Sequence, residues 1–72
     1  MTARAGPLEP IEDAFARRLP ATLSLLLEAM AVQLERLGDP RSEMLRLAAA
    51  TAYRRRVDEA RALFDEALAA GA

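Results

Sequence analysis

Leu19, Leu23, Leu26, Leu27, Met30, Leu34 and Leu37 fall on one face when the chain advances by about 100° per residue. They predict a helix over 21–37 with this face as its packing stripe. Leu25, Ala29 and Val32 fall nearly opposite. A helix that is apolar on two sides has two neighbours. One is expected to be the C-terminal half of the chain, the other an N-terminal helix or another protein. Leu23, Leu26, Leu27, Met30 and Leu34 are the candidate core.

A second stripe runs through Leu45, Ala49, Ala52, Tyr53, Ala60, Leu63, Phe64 and Ala67 and predicts a helix over 42–69. If that helix is unbroken, Arg56 lands inside the stripe. Either its guanidinium snorkels to the rim, or the helix breaks near Arg54-Arg55-Arg56 and Asp58 or Glu59 starts a new one. No Gly or Pro marks a break there, which favours one long helix. Between the two long stretches sits Gly38-Asp39-Pro40-Arg41. Gly38 ends a helix in the left-handed conformation, Pro40 cannot continue one, and Asp39 or Ser42 can cap the next. Upstream, Leu8, Ile11, Phe15 and Leu19 recur every four residues. They predict a short helix over 10–19, opened by Pro10 and ended by Pro20, which can itself start the following helix. No strand pattern occurs. The expected fold is all-α: an antiparallel helical hairpin with a short N-terminal helix, forming one helical domain over 10–72 behind a flexible segment over 1–9.

Composition changes this picture at two points. A chain of 72 residues makes one domain with a marginal core, since about 3–5 kcal/mol is the usual yield at this size. With no Cys and no His there is neither a disulfide nor a zinc site to staple it. A protein partner, or self-association, is therefore expected. The net charge of −1 gives no case for nucleic acid or an anionic membrane. Every basic residue is Arg, a usage associated with GC-rich bacterial genomes. The start of the chain has no secretion-signal pattern, and the apolar runs fall far below the roughly 20 residues of a bilayer span. The expected location is the cytoplasm.

Candidate chemistry is thin. Arg54-Arg55-Arg56 is the sharpest charge cluster and could meet phosphate or an acidic partner. The alternative is a solvated face paired with Asp58 and Glu59, favoured by the absence of interleaved aromatics. The pairs Glu12-Asp13, Asp58-Glu59 and Asp65-Glu66 diverge on a helix surface. Thr22, Ser24, Ser42 and Thr51 have no His to act as base. Gly6, Gly38 and Gly71 form no phosphate loop. No catalysis, cofactor, metal or small-molecule substrate is expected. Met30 reads as gap-filling core, and Met44 is left open between core and surface. The candidate partner-binding residues are Leu25, Ala29 and Val32, or the outer edge of the Ala-rich helix, with Arg54 and Arg55.

Two resemblances bear on function. Leu47, Ala48, Ala60, Phe64, Ala67 and Leu68 make the segment from Arg41 to Ala72 resemble one tetratricopeptide repeat, with Ala60-x3-Phe64-x2-Ala67-Leu68 as its second-helix pattern. Thr51 stands where that family has a Tyr, and Arg55-Arg56 where it has a Gly-Asp turn. In layout the whole chain is similar to the small E-component co-chaperones of type III secretion needle proteins. It shares an opening Met1-Thr2, a long helix over Ala21 to Leu37, a Gly38-Asp39 turn, and a second long helical stretch from Met44 to Ala70. That resemblance implies a hairpin that docks on a tetratricopeptide-like chaperone and helps keep a needle subunit soluble before export. The leading expectation is thus a co-chaperone or adaptor that presents an apolar helix face to a helical partner. The alternatives are a self-associating bundle and a small nucleic-acid-binding regulator.

Overall fold

The computed structural model describes residues 8–70. Four α-helices follow one another: α1 (Glu9–Ala16), α2 (Pro20–Arg36), α3 (Arg41–Tyr53) and α4 (Val57–Ala70). No strand occurs among the described residues. The fold is all-α, as its periodicity predicts. The predicted flexible segment lies outside the described residues up to Pro7, and Glu9 already belongs to α1.

The turn at Gly38 forms where the Gly-Asp-Pro signal places it. Gly38 takes φ +73° and its N–H donates to the Glu35 carbonyl, while the Asp39 N–H donates to the Leu34 carbonyl. This is the two-bond closure of a helix end that requires a left-handed residue. Asp39 then starts α3: its Oδ1 accepts the Arg41 backbone N–H at 3.0 Å. Ser42, the other candidate cap, is buried instead.

The long C-terminal helix expected over 42–69 is two helices. α3 stops at Tyr53 by the same closure as α2: the Arg55 N–H donates to Ala52 and the Arg56 N–H to Thr51, with Arg55 at φ 67°. The reason is tertiary. An unbroken helix would run about 42 Å, far past the roughly 25 Å of α2, and the Phe64 end of its stripe would have no cover. Breaking it frees Arg56 to the surface, where it pairs with Glu59 at 3.3 Å, and brings Val57 into the core. α4 folds back along α3, so that Leu63 and Ala70 line one depression with Leu47 and Pro40. Likewise α1 ends at Ala16, not 19. Arg18 is its left-handed residue (φ 52°), with the Leu19 N–H on the Ala14 carbonyl.

The core is built at small residues. Leu23, Leu27 and Ala31 of α2 face Leu45, Ala48, Ala49 and Ala52 of α3, and Val57, Ala60, Phe64 and Ala67 close it from α4. Alanines at these positions let the helix backbones approach, and Phe64 and the leucines fill the space that remains. Arg46 of α3 reaches both Glu28 and Glu35 of α2 and ties the two helices together. The expected core residues Leu26, Met30 and Leu34 are only half-buried, and Tyr53 points to solvent. α1 docks across α2 and α4: the Phe15 and Phe64 rings lie 5.4 Å apart, and the Arg61 guanidinium sits 4.9 Å over Phe15 while bonding Glu12 at 2.6 Å. Ile11 and Ala14 complete its buried edge.

Candidate protein-interaction surface on helix α2

Helix α2 has the sequence PATLSLLLEAMAVQLER and carries three charged residues, Glu28, Glu35 and Arg36. Both glutamates turn toward α3 and are held by Arg46. From Pro20 to Gln33 the side of α2 away from α3 therefore has no charge. Charge depletion with apolar content marks the centre of protein interfaces more reliably than bulk hydrophobicity does.

Along one flank of this side runs a groove of about 370 Å³ between α1 and α2, lined by Ile11, Leu26, Ala29, Met30, Gln33, Leu34 and Leu37. Seen down α2, the core residues Leu23, Leu27 and Ala31 lie on one side of Leu26, Met30 and Leu34, and Ala29 on the other. α1 is too short to roof the whole stripe. It has 8 residues and contributes Ile11 to the groove, so Leu37 is left 79% exposed at the far end.

The sequence-predicted partner residues divide. Ala29 lines the groove, Leu25 stands 74% exposed beyond it, and Val32 is half-buried. The N-terminal helix, expected as one possible second neighbour, covers this face only in part: Ile11 of α1 lines the groove with Ala29, while Phe15 packs on Phe64 of α4. Arg54 and Arg55 are exposed at the α3–α4 turn and make no ion pair among the described residues. Arg55 shares a depression with Pro20, Ala21 and Tyr53, at the start of α2, about 25 Å along the helix from Leu37. The arginines and the groove thus do not form one site. Sequence reasoning placed Leu26, Met30 and Leu34 in the core and Leu37 on the same packing stripe, and so missed that the first three are half-buried groove lining and that Leu37 is exposed.

A second apolar depression lies on the outer side of α3 and α4, with Met44, half-exposed Leu47 and Leu63, but Arg41 and Glu43 put charge on its rim.

Several of the remaining polar groups are engaged in the structure itself. Asp13 pairs with Arg17, Asp58 with Arg18, and Asp65 with Arg61. The Thr51 hydroxyl donates to the Leu47 carbonyl at 2.8 Å. Arg41 forks onto Asp39, which holds the Asp39 carboxyl below the usual carboxylate range. Among the described residues no group of three or more acidic side chains is placed to hold a metal ion, and no helix is long and apolar enough to cross a membrane. No protein-family model, curated protein or solved structure matches the chain.

Proposed function

We propose that this chain is a protein-interaction module, an adaptor that docks the groove side of α2 against a helix of a partner protein. The observation that carries the reading is the uncharged, incompletely roofed stripe from Leu26 to Leu37. An apolar groove between two helices, open along one side, fits an amphipathic helix with anchors at i, i+3 or i+4, and i+7. The co-chaperone role implied by the secretion resemblance is one form of this activity. Its two-helix layout is not the layout of this chain, so the proposal is made for the adaptor in general.

The test uses Ala29. It lines the groove yet is exposed, so Ala29→Glu places a charge at the docking edge without touching the core. Binding of a fluorescent amphipathic helical peptide with a Leu/Met stripe is measured by anisotropy, beside helicity by circular dichroism. The expected result is unchanged helicity with binding weakened at least about tenfold, a charge forced against an apolar surface being costly. Equal binding by both chains contradicts the reading.

A further inference from the structure

Arg36 narrows what the partner is. It lies one turn beyond Gln33 and two beyond Ala29, so helical spacing puts it at the end of the groove's outer edge. It makes no ion pair among the described residues, while the charges around it are all engaged: Glu35 by Arg46, and Asp39 by Arg41. A single cation without a side-chain partner among the described residues thus closes, at the carboxyl end of α2, a face of that helix otherwise free of charge.

We infer that the occupant is an amphipathic helix of a separate protein, lying antiparallel to α2 and carrying acidic residues in its first turn against Arg36. This rests on the adaptor reading above and deepens it. Three considerations converge. The groove spans Leu26 to Leu37, about 16 Å of helix, which is three turns and enough for anchors at i, i+4, i+7 and i+11. Acidic side chains are favoured in the first turn of any helix, whose amino end is the positive end of its dipole. An antiparallel partner lays that positive end over the negative carboxyl end of α2 and delivers its acids to Arg36.

Pairing α2 with the α2 of a second copy does not supply the complement. In antiparallel self-pairing centred near Ala29, Arg36 meets the Pro20–Thr22 end of the other α2, where there is no acidic residue and the dipole is positive. In parallel self-pairing it meets its own counterpart. Both arrangements leave Arg36 facing positive charge, and mismatched charge selects against a partner.

The experiment uses the full chain and two synthetic peptides with the same Leu/Met stripe, one with Asp and Glu in the first turn and one with Lys there. Anisotropy titrations at low and physiological salt are run on the native chain, Arg36→Glu, Arg54→Glu/Arg55→Glu and Ala29→Glu, with sedimentation velocity of the chain alone. The acidic-turn peptide is expected to bind about three- to tenfold more tightly, with a preference that shrinks as salt rises. Arg36→Glu should reverse the preference toward the Lys-turn peptide, and Arg54→Glu/Arg55→Glu should leave it intact. If both peptides bind equally and Ala29→Glu abolishes both, the acidic-turn inference falls while the adaptor reading stands. If neither peptide binds the native chain, both fall. A dimer of the chain alone that Ala29→Glu dissociates gives the groove to a second copy and overturns the inference.

Discussion

Arg55 occupies a backbone conformation that ordinary side chains avoid, at a cost of roughly 1–2 kcal/mol. Glycine adopts it freely but gives up more unfolded-state entropy. Arg55→Gly is therefore expected to stabilise the chain by about 0.5–1 kcal/mol, raising the melting midpoint by about 2–8 °C. Arg55→Val should lower it. Arg18 has the same geometry, but its side chain also pairs with Asp58 at 3.1 Å, so Arg55 is the cleaner site. The core makes a second prediction at this scale. Leu27 is fully buried and Leu26 is not, though both sit in the same sequence stripe. Leu27→Ala should cost about 2–5 kcal/mol and Phe64→Ala about 3–5, enough to unfold so small a domain, and Leu26→Ala distinctly less. Urea or thermal melts rank the three. The sequence could not make this distinction, because a 100° projection assigns residues to a broad face and not to a particular neighbour. Ala31 in particular carries little apolar signal, yet it is fully buried because α3 approaches closely there.

At the scale of elements, the start of α3 depends on one carboxylate. Asp39 accepts the Arg41 N–H and guanidinium together, and its folded carboxyl titrates below the ordinary range because the Arg41 side chain bonds the charged form first and foremost. A depressed folded value means stability that is present above the ordinary carboxylate range and is lost as pH falls through the folded value. The melting midpoint should thus decline in acid, and Asp39→Asn, which keeps a cap but has no charge to lose, should decline less steeply. This turn was legible because Gly38, Asp39 and Pro40 each state part of it. The break before α2 was legible from Pro20, though α1 ends three residues earlier than expected; the break after α3 was only an alternative, since Arg55, like Arg18, does the work usually given to glycine. The only trace in the sequence was a conflict: Arg56 inside an apolar stripe. Breaking the helix resolves it, and the gain is the burial of Val57 and Phe64 against α3 and α1. α1 is held in turn by Phe15, so Phe15→Ala should release α1 and open the groove, lowering peptide affinity as well as stability.

For the whole molecule, the consequential feature is the asymmetry of α2. One side is packed on α3 and tied by Arg46. The other has no charge until Arg36, and an 8-residue α1 covers only part of it. Leu25, Ala29 and Val32 marked the existence of a second apolar side in the sequence. Its true extent was hidden, because Leu26, Met30 and Leu34 stay half-buried and Leu37 exposed only through the shortness and crossing position of α1, which no local pattern records. The direct measurement is two-dimensional methyl and amide NMR of the labelled chain titrated with the acidic-turn helical peptide. The account predicts shift changes confined to Ile11, Leu26, Ala29, Met30, Gln33, Leu34, Arg36 and Leu37, with Met44, Leu47 and Leu63 unmoved. Changes centred instead on Met44, Leu47 and Leu63, or on Arg54 and Arg55, would contradict it.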